Sequence, residues 1–196
     1  MNAFSYVLEH IEGTVLFVSL LIAGVAVVLR FFDIQSKSSR RRILKEEFDA
    51  AIRQLSSESE TNRLAAAILI RRFFTAERGC YRNETIYVLS SLLRVVPTGV
   101  FQKTLADGLA YGHDLSKADL QKTNLQDAYI GSKEQVTTDM RETDLFQADL
   151  SNALIERIDG RKAVFYQSNL QHARIKYSDL SEANFSMADL NHIGLR

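Results

Sequence analysis

Every fifth residue from Leu115 to Leu195 is large and apolar, with two exceptions, Gln135 and Gly160. The positions in phase are Leu115, Leu120, Leu125, Ile130, Met140, Leu145, Leu150, Ile155, Phe165, Leu170, Ile175, Leu180, Phe185, Leu190 and Leu195. Two places before each of the 17 phase positions stands Ala, Ser or Thr in 13 cases, and the residue between is Asp or Asn in 11. A helix repeats its faces every 3.6 residues and a strand every two, so neither holds a five-residue phase over this length. The pattern marks an internal repeat with a five-residue unit.

The pattern changes upstream of His113. Gly13 to Leu29 carries no charge, with Leu20 and Gly24 in its middle. A membrane-spanning helix needs roughly 17–25 mostly apolar residues, so this run is expected to be a transmembrane anchor within a first segment, 1–33. The residues before it carry Glu9 and Glu12 and no Lys or Arg, unlike the basic start of a cleaved signal peptide. Arg30, Lys37, Arg40, Arg41, Arg42 and Lys45 all follow it. Positive residues stay in the cytoplasm, so the N-terminus is expected outside and the rest of the chain inside. Arg40, Arg41 and Arg42 are candidates for contact with anionic lipid.

Residues 34–112 read as a basic juxtamembrane stretch and a helical domain. Leu44, Phe48, Ala51, Ile52 and Leu55 share one helix face. A second helix, from about Thr61 to Thr75, is apolar nearly all round and is expected to be buried. A third starts at Asn83 as N-cap and ends at Pro97. A fourth carries Phe101, Leu105 and Leu109 at intervals of four, placed to cover the start of the repeats.

Composition narrows the function. The 24 basic and 24 acidic residues balance, so no global charge calls for nucleic acid. The single cysteine, Cys80, excludes a disulfide framework and suits a reducing compartment. There is no nucleophile–base pair, metal-ligand cluster or Gly-rich phosphate loop. The expectation is therefore a protein that is not an enzyme and needs no cofactor.

The triplets ADL at 118–120 and 148–150 and ANF at 183–185 resemble the motif of the pentapeptide-repeat family, and the resemblance covers 113–196. It implies an α + β-solenoid chain that ends in a right-handed quadrilateral β-helix with four pentapeptides per coil, in which the large residue and the small one point inward, where a larger side chain would overpack, and Asp or Asn stands at a tight corner that needs side-chain-to-backbone hydrogen bonds. RLAAAILIRRF and FQKTLADGLAYGHDL further resemble bacterial membrane-anchored members, which implies a single-pass protein of the bacterial cytoplasmic (inner) membrane. If residues 20 apart stack, Asp119, Asp139, Asp159 and Asp179 form one column, and Ser132, Asn152, His172 and His192 another. The face through Asp114, Glu134, Leu154 and Arg174 departs most from the motif. A bulge or outward loop is expected between Gly131 and Thr137.

Phe146, Val164, Tyr166 and Met187 take outward positions and form a candidate partner face. Phe185, Leu190, Ile193 and Leu195 lie on the last coil and form a candidate homodimer end; some relatives dimerise there. The leading functional expectation is a membrane-tethered scaffold or regulatory module that holds an unknown cytoplasmic protein. The alternative is a DNA-mimicking inhibitor of a DNA-binding enzyme such as a topoisomerase. The count from His113 onward, 13 acidic against 10 basic residues, speaks against that alternative.

Overall fold

The computed structural model describes residues 29–30, 33–75, 79–132 and 136–195. The chain forms two compact units, Met1–Glu47 and Phe48–Arg196. Of the predicted anchor, Gly13, Leu20 and Gly24 lie outside the described residues, while Leu29 is helical and exposed. Among the described residues no helix is long and apolar enough to cross a membrane. The described part of the first unit is helical and exposed apart from Leu44, and it includes Arg40, Arg41 and Arg42.

The second unit begins with residues 48–55 of helix α1 (residues 33–55), then α2 (Glu60–Leu69), α3 (Arg82–Leu93) and α4 (Val100–Leu109). Two 3-10 turns, Ile70–Phe74 and Gly79–Tyr81, lie between α2 and α3. Ser59 caps α2 by accepting from the Asn62 N–H. Asn83 is not the cap of α3; that position is Tyr81, and Asn83 sits inside the first turn. Its amide oxygen accepts from the neighbouring Arg82 guanidinium instead. The all-round apolar stretch in α2 is buried only at Ala66 and Ala67, while Ile68 and Leu69 face solvent. One stripe of the helix suffices to meet α4.

From Asp114 onward the chain winds into parallel coils. Short strands β1 (Tyr129–Gly131), β3 (Leu154–Glu156), β5 (Arg174–Lys176) and β6 (Gly194–Leu195) form one four-stranded face. β2 (Thr138–Asp139) and β4 (Ile158–Asp159) pair on another. Single parallel bridges complete the remaining contacts, as at Asp144–Val164 and Asp149–Asn169. Each corner has the same local chemistry. The central residue's C=O accepts from the N–H three residues on, as in Ala148 N–H to Leu145 O. The preceding Asp or Asn accepts the next-but-one N–H, as in Phe146 N–H to Asp144 Oδ1 at 2.9 Å. The residue before the small one is left-handed at 14 non-glycine positions, from Lys117 to His192. That conformation is normally disfavoured for a residue with a Cβ. The two corner hydrogen bonds and the coil-to-coil bonds hold it.

Between coils the bonds are unequal. Leu145 and Gln147 donate forward to Val164 and Tyr166, and Val164 donates back to Thr143. Each pentapeptide thus sends two N–H groups to the following coil and receives one.

The register corrects the assumption of a uniform 20-residue coil. β2 pairs with β4 at 20 residues, Thr138 with Ile158, but β1 pairs with β3 at 25, Tyr129 with Leu154. Asp114 likewise bridges Asp139, and Asp119 bridges Asp144. The partner strands are separated by one residue, Arg157, whereas β1 and β2 are separated by 132–137. One extra pentapeptide therefore lies in the first coil, within the stretch expected to bulge. Lys133, Glu134 and Gln135 fall outside the described residues.

Eleven of the phase positions, Leu115, Leu120, Leu125, Ile130, Met140, Leu145, Leu150, Ile155, Phe165, Leu170 and Ile175, are no more than 4% exposed. In the last coil Leu180 and Phe185 are half-buried, while Leu190 and Leu195 are exposed. The exception at Gly160 has a volume explanation. Ile158, at the neighbouring small-residue position, is buried, and a Cβ on Gly160 would stand 2.8 Å from Leu180 Cδ2 and 3.2 Å from Ile158 Cδ1. Large and small have exchanged places within one repeat.

The core does not break at the expected boundary between 112 and 113. Leu93, Leu105 and Leu109 of the helices belong to the same buried cluster as Leu115, Leu120 and Leu125. Polar groups of the helical layer also close the open edge of the first coil. Leu93 O accepts from the Asn124 N–H at 2.8 Å, and Asp107 Oδ1 from the Tyr129 N–H at 2.9 Å. Arg94 donates to Gln121 O, Gln102 to Asn124 O and Gln126 O, and Lys103 to Asp127 O.

Candidate interaction face

The corner backbone fixes which side chains stack. Gln121, Phe146, Tyr166 and Ser186 follow one another up one side of the coil, with Lys122, Gln147, Gln167 and Met187 beside them. The Phe146 and Tyr166 rings stack with centroids 5.7 Å apart and planes within 10°. The Tyr166 hydroxyl lies 3.2 Å from Met187 Sδ. Gln147 Nε2 donates to Gln167 Oε1 at 2.9 Å. Both aromatic residues are half-buried, and Met187 is 72% exposed. Val164 does not share their column. It occupies the Asp/Asn position between Asp144 and Asn184 and is half-buried there. The four residues therefore cluster on one side, with Val164 at its margin.

The acidic column is re-registered by the extra pentapeptide. It reads Asp114, Asp139, Asp159, Asp179, and Asp119 stacks on Asp144 instead. Basic groups run along it. Arg82 pairs with Asp114. Arg141 grips Asp139 through both nitrogens, at 2.9 and 2.6 Å, and stands 3.8 Å from Asp159. Arg161 does the same for Asp159, at 2.8 Å through each nitrogen, and stands 3.8 Å from Asp179. The Arg141 hydrogen bonds hold the Asp139 carboxyl below its usual range, against the upward push of partial burial. Arg161 does so for Asp159. Carboxyl groups depressed in the folded state stabilise it above their unfolded pKa of about 3.9. That contribution fades as pH falls through the lower folded values, so the ladder is intact at neutral pH.

The histidine column is re-registered too. Ser132 is buried on another segment, and the column is Asp127, Asn152, His172, His192. At the end of the coil Phe185 stacks on Phe165 with centroids 4.7 Å apart. Ile193 is half-buried, and Leu195 is 66% exposed.

The pentapeptide-repeats profile, with 8 copies, matches residues 143–181 and 161–193. Between residues 143 and 193 the chain therefore carries pentapeptide repeats. Its repeat domain is similar to three solved pentapeptide-repeat proteins. One from Nostoc Pcc 7120 is 22% identical over 42% of this chain and 80% of that one, with a TM-score of 0.27. One from the Arabidopsis thaliana thylakoid lumen is 22% identical over 42% and 61%, with a TM-score of 0.23. Rfr23 from the cyanobacterium Cyanothece 51142 is 20% identical over 42% and 60%, with a TM-score of 0.19. The chain thus spans about three-fifths of the latter two. No curated protein matches it.

Proposed function

We propose that this protein is a membrane-tethered interaction module that holds a cytoplasmic protein through the side of its coil. The stacked Phe146–Tyr166 pair, with Met187 beside it, supports this reading. Apolar and aromatic side chains grouped on a solvated surface favour a partner. The uncharged run Gly13–Leu29 and the basic cluster after it support the tether and its orientation. The DNA-mimic reading has less support, because Arg82, Arg141 and Arg161 compensate three of the four carboxylates in the acidic column.

Phe146→Ser with Tyr166→Ser tests the reading in the full chain. Both versions should resist extraction from membranes by alkaline carbonate and melt within a few degrees of each other. Only the parent should retain its partner in affinity purification from native membranes. Equal partner recovery would remove the face from the proposal, and release by carbonate would remove the tether.

We also propose that the last coil contacts a second copy. Exposed Leu190 and Leu195, with half-buried Phe185 and Ile193 on the same coil, support an apolar contact there. Sedimentation in detergent should show a dimer that Leu195→Asp converts to a monomer. A monomeric parent at high micromolar concentration would rule the pairing out.

A further inference from the structure

His172 and His192 stand on successive coils with ring centroids 4.8 Å apart and planes within 2°. Both residues are exposed. Neither position is free to drift. The His172 N–H donates to Asn191 O at 3.0 Å, and the φ values of His172 and His192 are both 59°. Identical corner backbones aim identical side chains the same way. Asn152 precedes them in the column with φ 58°, and it is also exposed.

We infer that His172 and His192 chelate a divalent transition-metal ion on the surface of the coil. Neutral imidazole suits zinc, copper and nickel, while the harder calcium and magnesium ions prefer all-oxygen shells. Two nitrogens at about 2.0–2.1 Å from a tetrahedral zinc ion lie about 3.3 Å apart. The ring centroids are 4.8 Å apart with parallel planes, so the two exposed side chains turn about χ1 and χ2 to bring one nitrogen of each onto the ion. Among the described residues no group of three or more His, Cys, Asp or Glu is placed to hold a metal. Water therefore completes the shell, and the ion exchanges with solvent. The two histidines lie on the third and fourth coils, so a bound ion ties the last coil to its neighbour. An ion that binds only the folded arrangement stabilises it as its concentration rises.

The test uses zinc chloride at pH 7.5 and the full chain in detergent, in a Cys80→Ser background, because the Cys80 thiol is also exposed. Calorimetry should show one saturable zinc per chain. His172→Ala and His192→Ala should each weaken binding roughly tenfold or more, and Asn152→Ala should leave it unchanged. Zinc should raise the melting temperature of the parent and not of the double histidine variant. In the unsubstituted chain, zinc should shift the ring signals of both histidines together in NMR spectra. Absence of saturable binding, equal affinity in the histidine variants, or unshifted ring signals would overturn the assignment.

Discussion

Leu150→Lys unfolds the repeat domain. Leu150 is fully buried, and its backbone N–H donates to Asn169 O in the next coil. An ammonium placed there has no carboxylate partner and no water. An unpaired buried charge costs several kcal/mol, against a total stability on the order of 5–15 kcal/mol for a domain. The loss should spread beyond one coil, since the helices and repeats share one core. Circular dichroism should show a chain without a cooperative thermal transition. Gln147→Lys, at an exposed corner, is the control and should stay within about 0.5 kcal/mol of the parent. A cooperative transition for Leu150→Lys near that of the parent would contradict the inward phase.

Gly131→Ala lowers stability by about 3 kcal/mol or more. Gly131 has φ 127°, and a Cβ there would lie 1.8 Å from the Glu156 carbonyl oxygen. That oxygen belongs to β3, which is held between β1 and β5. Relief requires moving a paired strand, not swinging a side chain aside. At about 2–4 °C per kcal/mol for a domain of this size, the melting temperature should drop by roughly 10 °C. Gly79→Ala, where an added Cβ meets nothing within 4 Å, should leave it nearly unchanged. A drop of only a degree or two for Gly131→Ala would mean that the entry to the extra pentapeptide is not fixed by β3.

The sequence phase located the interior because inward and outward are decided within each repeat. Alternation of small, acidic and large residues needs no knowledge of what stacks above. The columns were a different matter. An insertion of one whole pentapeptide preserves the five-residue phase, so it moves Asp139 from beneath Asp119 to beneath Asp114 without shifting that phase. Only Gln135 among the phase positions and the glycine at 131 mark the place. Ser151, which follows the phase position Leu150 and is expected to face outward, shows a smaller failure of the same kind. It is outward by phase yet only 8% exposed, since the longer Gln126 and Gln171 flank it in the stack. The lateral aromatic pair survived the change of register because Phe146 and Tyr166 both follow the insertion. That Arg141 and Arg161 screen the acidic column was legible, but not the ladder they make. Arg141 and Arg161 follow Asp139 and Asp159 by two positions, but their reach toward the next coil's carboxylate depends on the stacking.

The inequality of the hydrogen bonds between coils gives the solenoid a head and a tail of opposite chemistry. At the first coil the unmatched groups are mostly acceptors, and Arg94, Gln102 and Lys103 meet them with donors. By the same rule the last coil presents the N–H groups of Leu180, Glu182, Phe185, Met187, Leu190 and His192 against fewer carbonyls. Two tails brought together around a twofold axis therefore offer donors to donors, and the contact must be carried by Leu190 and Leu195 instead of backbone pairing. A graft that copied the helical layer onto the tail would fail for this reason. A cap for that end has to be rich in carboxylates, amide oxygens or free carbonyls, and screening cap sequences on that single criterion would show whether the rod can be closed at both ends.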